Sequence, residues 1–453
     1  MKERGVFHII ALISALILWA FIFFCAGLMG AQSDMFARGW NAFTSGELQA
    51  ELLPYAKDSF DKQLTVWKTA PDALQGGALL IGSHYSQNPA LLLVNDEGKI
   101  LHQWRVEKKI VNPELTPWWG TIEHPDVFAI DDAHLLPQGD VIFIQDFRDL
   151  QNYRGQRLAR MDKDSHILWQ VPGFFHHEFD IAGDPQRIYA MASHMRDELP
   201  VIGPKHSNVR YLEDRIEVYT MDGKKIDSWS IIDAFAHSPY RSMLSSFEID
   251  VRDLQRVKMP DGRVLYDMLH LNSLQHLNEA QAKSLPFARA GDLLISLRGL
   301  NTLAVFRPDT NQIVWAMQGV WRHQHMARVM DDGKLCVYDN DGSRVLTFPK
   351  DKTPTEEPQS RVICVNPVNN QVDEIYASPL LHSFWRGYYV KLADSSWIIS
   401  SSEQSRVVVL SPEKNILWEL RGVPDRDMQK IPYRKQISTV RYYPASALQF
   451  LNP

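Results

Sequence analysis

The chain has 453 residues, 45% of them hydrophobic, which is enough for a large folded core. Its 48 Lys and Arg against 54 Asp and Glu leave a formal net charge of -6 with no basic run, which excludes a nucleic-acid surface. The three cysteines, Cys25, Cys336 and Cys364, show no CxxC or Cys/His spacing, so no metal motif is read from them; Cys336 and Cys364 read as two buried free thiols in preference to one disulfide.

In chain order, Val6 to Ala26 is apolar apart from His8 and Ser14, and the apolar run continues to Ala31. That exceeds the roughly 20 residues a membrane-spanning helix needs, and the roughly 7–15 of a signal-peptide core. Lys2 and Arg4 precede it, so residues 1–31 are expected to be a retained single-pass anchor with its N-terminus in the cytoplasm. Met35 to Phe43 and Glu47 to Leu53 carry apolar residues at helical spacing, which predicts a short helical linker over 32–75.

From Gly76 to the end the pattern is short strands and turns. A turn followed by a strand ending in an apolar or aromatic residue occurs six times, at Asp96–Trp104, Asp164–Trp169, Asp222–Trp229, Asp309–Trp315, Asn369–Ile375 and Glu413–Trp418. Before most copies lies a hairpin of the form apolar-apolar-x-Gly/Asp-x-apolar-apolar, as in Leu135–Ile144, Arg289–Ser296, Val329–Val337 and Leu392–Ile399. Four strands per unit and six units predict an all-β, six-bladed propeller over 76–453. The third unit carries an insertion around Met195 to Arg210 and the fourth another around Leu277 to Phe287.

A common register locates a site. Eight residues before the hairpin turn stand Asp131, His177, His325 and Tyr388, and in the fourth unit the segment His270-Leu-Asn272 takes that place. The first strand of each unit lines the axis, so His177, His270 or Asn272, His325 and Asp131 are expected to face one another, with Tyr388 as a further substrate-facing position. Seven residues past the turn stand Asp146, Arg298, Asn340 and Glu403, which brings Arg298 to the same mouth. Imidazoles, an amide and a guanidinium make a set of donors for a compact anion, and a neutral imidazole is a competent nucleophile. No carboxylate cluster of hard-metal spacing accompanies them, and no metal or cofactor is read from the sequence.

These residues resemble the PAPS-independent bacterial arylsulfotransferases. The resemblance spans roughly 76–422 and is most specific in His270-Leu-Asn-Ser-Leu274, Gly291 to Val305, Ile313-Val-Trp315, Gln324-His325 and Asp332 to Asn340, with His176-His-Glu-Phe-Asp180 one unit earlier. It implies a six-bladed periplasmic propeller that moves a sulfuryl group from a phenolic sulfate ester to a phenol through a sulfo-histidine. It also implies roles: His325 as nucleophile, His270, Asn272 and Arg298 holding the sulfuryl oxygens, and His177 as acid and base. With the anchor, it implies a protein of the bacterial inner membrane with its propeller in the periplasm. The chain departs from the family at its N-terminus, where an anchor and linker replace a β-domain, at Ser383–Tyr389, where a small polar residue is usual, and at Met326. The alternative is a non-catalytic propeller that serves as a binding or scaffolding subunit of a membrane-protein complex. A quinone-dependent propeller dehydrogenase is disfavoured, because no repeated Trp-docking motif or calcium set is present.

Overall fold

A computed structural model describes residues 64–68, 70–83, 89–107, 127–148, 153–198, 209–245, 264–340, 360–378, 381–383, 385–422 and 437–452. The predicted anchor and the helical segments at 35–53 lie outside the described residues. Among the described residues, no helix is long and apolar enough to cross a membrane.

Six antiparallel sheets form the six blades. Blade 2 is Val127–Leu135, Val141–Arg148, Tyr153–Met161 and Ile167–Pro172, from the axis outwards. Blade 3 is Phe175–Ala182, Arg187–Arg196, Val209–Thr220 and Lys225–Ser230, and Val264–Asp267 adds to it in parallel beside Val209–Leu212. Blade 4 is Leu271–His276, Leu293–Leu297, Thr302–Arg307 and Gln312–Gln318; blade 5 is His325–Val329, Leu335–Asp339, Arg361–Val365 and Val372–Ala377. Blade 6 is Tyr388–Lys391, Trp397–Ser401, Arg406–Leu410 and Ile416–Arg421, with Thr65–Lys68 as a fifth, outer strand. The last stretch of the predicted linker is therefore part of a blade.

Blade 1 is discontinuous. Ala78–Ser83, Ala90–Val94 and Ile100–Arg105 are its outer three strands, and its inner strand is the C-terminal Ile437–Tyr443. The ring is closed by the chain's end. This explains why the sequence register supplied no axis-facing residue for the first unit.

Burial follows position in the blade. Second and third strands such as Ala78–Ser83, Leu293–Leu297 and Arg406–Leu410 are buried on both faces and read as nearly unbroken apolar runs. The outer Ile167–Pro172 alternates half-buried and exposed residues instead. Six apolar clusters result, one between each pair of neighbouring blades. Each fully buried Leu, Ile or Val there contributes roughly 1.5–3 kcal/mol. The repeated tryptophans pin the interfaces. The indole N–H of Trp104 donates to Gly139 O (3.0 Å), that of Trp169 to Met221 O (3.1 Å) and that of Trp418 to Asp96 O (2.6 Å), each time a turn of the next blade.

Cys336 and Cys364 are disulfide-bonded, not free. They sit directly opposite one another on adjacent strands of blade 5, with Cα atoms 3.9 Å apart. Sequence separation gave no sign of that cross-strand pairing.

Candidate active site

The inner strands share a local irregularity. In blade 2 the pairing passes from Ile130–Gln145 to Asp132–Ile144, so Asp131 is an unpaired extra residue. Asn272 in blade 4 and Ser438 in blade 1 are extra in the same way. In blade 3, His176, His177 and Glu178 together oppose Met191, and in blade 5 Met326 and Ala327 together oppose Val337. A bulge kinks a strand and re-aims a side chain. Here bulges recur at one end of the axis. His177 (φ 56), His270 (φ 50), Met326 (φ 55) and Arg386 (φ 59) all have left-handed backbone, a conformation that costs about 1–3 kcal/mol and clusters at working sites.

The result is a knot of imidazoles. The ring of His177 lies 5.1 Å from that of His270 and 5.7 Å from that of His325, centroid to centroid. His325 Nδ1 lies 3.0 Å from His323 O and 2.8 Å from Asn340 Oδ1. A carbonyl can only accept, so Nδ1 carries the hydrogen and Nε2 keeps the lone pair. Asn340 is oriented by its own amide hydrogens, which go to Ser383 O and Arg386 O at 2.7 Å each. Nε2 of His325 is buried and has no hydrogen-bond partner among the described residues. Burial, with Arg298 and His270 nearby, holds the His325 pKa well below the usual imidazole value, against the pull of Asn340 and His323 O. It is neutral at pH 7.

Asn272, almost fully buried, donates through Nδ2 to Gln324 O (2.7 Å), and its Oδ1 has no partner among the described residues. Arg298 is fastened beside His270. Its N–H donates to His270 O (3.0 Å), and that of Gly299 donates to Leu269 O (2.9 Å). Gly299 is required there, since a Cβ would lie 2.1 Å from Met268 O. His270 Nδ1 is 2.6 Å from Asp267 Oδ2. Burial would raise the Asp267 carboxyl, but His270 overrides it and holds the group below its usual value.

His177 has another imidazole behind it. The Nδ1 atoms of His176 and His177 are 2.8 Å apart, and His176 Nε2 is 3.4 Å from Asp214 Oδ1. Burial, then the nearby His176, His270, His325 and Arg386, push the His177 pKa well below its usual value.

The structure thus brings together His177, His270, Asn272, Arg298 and His325. Asp131 is adjacent, but it is engaged: it accepts from the His177 N–H (3.2 Å) and pairs with Arg386. Tyr388 is not in the cluster. Its hydroxyl accepts from Tyr442 N (3.2 Å), in a layer further along the axis with Arg328, Arg441 and Asp132. Arg386 stands at the blade 6 position instead, because its left-handed backbone comes just before the strand rather than inside it. The sequence reading gave no role to Asp214, Asp267 or Arg386. Of these, only Asp267, three residues before His270, had a spacing that could have exposed it.

A cavity of about 660 Å³ opens at the other end of the axis, lined in part by Asp180, His276, Arg328 and Arg441. It contains none of the three clustered histidines. Both of its arginines are paired, Arg328 with Glu178 (2.6 Å) and Arg441 with Asp132 (2.7 Å). Among the described residues, no group of three or more His, Cys, Asp or Glu is placed to hold a metal ion.

A neutral imidazole with two further imidazoles, a guanidinium and an amide around it is chemically able to bind a compact anion and to attack as a nucleophile. The Arylsulfotransferase (ASST) family profile matches residues 133–422, and the chain belongs to that family. No curated protein matches it. Among solved structures it is similar to a protein of unknown function from Bacteroides caccae, at 12% identity and TM-score 0.45, over 81% of this chain and 98% of that one. It is also similar to virginiamycin B lyase from Staphylococcus aureus, at 9% identity and TM-score 0.35, over 78% of this chain and 87% of that one.

Proposed function

We propose that the protein is a membrane-anchored, periplasmic aryl-sulfate sulfotransferase that works through a sulfo-histidine on His325. The observation that carries this reading is the state of His325: Nδ1–H engaged, Nε2 bare and buried, in a member of the arylsulfotransferase family. The His325 Nε2 lone pair attacks the sulfur of a phenolic sulfate. The bond from sulfur to the phenolic oxygen breaks, and the departing phenolate takes a proton from His177. The imidazole becomes cationic as the N–S bond forms, and Asn340 Oδ1 and His323 O accept from its Nδ1–H. Arg298, His270 and the Nδ2 hydrogen of Asn272 that Gln324 O does not take surround the sulfuryl oxygens, where fixed donors stabilise the charge of the transition state. An acceptor phenol then loses its proton to His177 and attacks sulfur, and the N–S bond breaks. No nucleotide donor and no metal enters either half.

The test is transfer from 4-nitrophenyl sulfate to phenol by the detergent-solubilised full chain, with no nucleotide present. His325→Asn is expected to lower turnover by about four orders of magnitude or more with an unchanged melting temperature. Retained turnover in that variant would overturn the mechanism. An unaltered chain inactive on several aryl sulfates, yet purifying in a fixed-ratio complex, would point to a scaffolding subunit.

A further inference from the structure

His177 is asked to do something its surroundings oppose. It must give a proton to the leaving phenolate and later take one from the acceptor. Yet it is walled in by His176, His270, His325 and Arg386, an environment hostile to an imidazolium. The contacts behind it offer a way out. Two ring nitrogens 2.8 Å apart must have one proton between them, one ring donating and the other accepting. The far nitrogen of His176 is buried and makes no hydrogen bond of good geometry among the described residues, and Asp214 Oδ1 lies 3.4 Å from it. Asp214 is itself 2% exposed and is held in place by the Leu271 N–H, which donates to its other oxygen at 3.0 Å.

We infer that His176 and Asp214 form a proton relay behind His177, so that His177 works as acid and base by exchanging tautomers and is neutral before and after each step. The inference rests on the sulfotransferase reading above. In the resting site, His177 carries its hydrogen on Nε2 and accepts at Nδ1 from His176 Nδ1–H. A second proton is held between His176 Nε2 and Asp214 Oδ1. As the sulfur–oxygen bond breaks, the Nε2 proton of His177 passes to the phenolate oxygen and the Nδ1 proton of His176 moves to His177 Nδ1. His176 is left neutral with its hydrogen on Nε2. His177 then presents a bare Nε2 to the acceptor phenol, and the same two shifts run backwards. One proton leaves in the first half-reaction and one returns in the second. His176 and Asp214 are positioning residues, since neither needs to touch substrate.

The experiment uses His176→Gln in the full solubilised chain, with two donors that differ in how much their leaving group needs a proton. General acid catalysis is typically worth about 10²–10⁴-fold, so in kcat/KM for the donor, which reports the first half-reaction alone, the variant is expected to lose about 10²-fold or more with phenyl sulfate and less than about tenfold with 4-nitrophenyl sulfate. Equal losses on both donors, or none on either, would overturn the relay. A second measurement does not depend on turnover. In the ¹⁵N-histidine-labelled chain, a nitrogen–nitrogen coupling across the shared hydrogen should link the two Nδ1 atoms and vanish in His176→Gln. Its absence from the unaltered protein overturns the relay whatever the activity. Coupling present in a chain that transfers no sulfuryl group would support the proton bridge and sink the sulfotransferase reading instead.

Discussion

His177, His270 and His325 are the same side chain in three electrical settings, set by what stands behind each ring. An amide backs His325, a carboxylate 2.6 Å away backs His270, and a second imidazole backs His177. The neutral amide matters most, because a nucleophile must keep its lone pair. Asn340→Asp would replace that amide with a carboxylate, which favours the imidazolium. The sign follows directly: the protonated ring cannot attack, so activity falls on the acid side of the His325 pKa. In the unaltered chain that limb lies well below the ordinary value of 6.5, because the ring is buried and Arg298, His270 and His177 are charged or titratable groups that face it. In Asn340→Asp it is expected to rise by roughly 1–2 pH units, read from kcat/KM between pH 5 and 8. An unmoved limb would show that Asn340 has no hold on the nucleophile. The sequence made His177 and His325 legible because both stand at a constant distance from a turn. Asp214 was not legible, since it reaches His176 from an outer strand of blade 3 through the pairing of the sheet.

The elements explain how a regular sheet presents irregular chemistry. The period-two alternation of a strand would send successive side chains to opposite faces, into the packed interfaces between blades. Bulges at Asp131, His176–Glu178, Asn272, Met326–Ala327 and Ser438 break that alternation at one level. No sequence signal marks them, because the residues there include no glycine and differ from blade to blade. The same level depends on one close approach, at Gly299. Gly299→Ala would place a Cβ against the Met268 carbonyl and push Arg298 away from His270. A displacement on the order of 1 Å can cost about 10²-fold in rate, so kcat/KM should fall by about that factor. The stability loss, read by urea denaturation, should stay within the roughly 1–3 kcal/mol of an overpacked site. The disulfide makes the opposite prediction. Cys336→Ala with Cys364→Ala opens a loop with a sequence separation of 28, which by chain entropy costs about 3–4 kcal/mol. The denaturation midpoint should drop accordingly while the pH–rate profile is unchanged.

At the scale of the whole molecule, the repeats announced the ring but not its closure. Six turn-and-strand copies are visible in the sequence because each must bury a large side chain against the next blade. The C-terminal strand carries no such copy, and its alternation in Ser438-Thr-Val-Arg-Tyr-Tyr443 says nothing about which blade it joins. Ile437 and Val440 complete the apolar cluster between blades 6 and 1. Arg441 is the partner of buried Asp132, and loss of one member of such a pair typically costs about 3–5 kcal/mol. The Ser438 hydroxyl donates to Ile130 O, the residue next to Asp131 at the mouth of the site. Ending the chain at residue 436 would also expose Ala78–Ser83 as an unpaired edge whose six residues are all buried in the intact ring. If the blades were independent, such a truncation would leave the other five folded and the histidine cluster intact. A closed ring requires the reverse. The truncated chain is expected to lose its cooperative unfolding transition and its turnover together, and a synthetic peptide of residues 437–453 supplied during refolding should restore both. A truncated chain that still unfolds cooperatively would show that the ring is held by its blade interfaces without the closing strand.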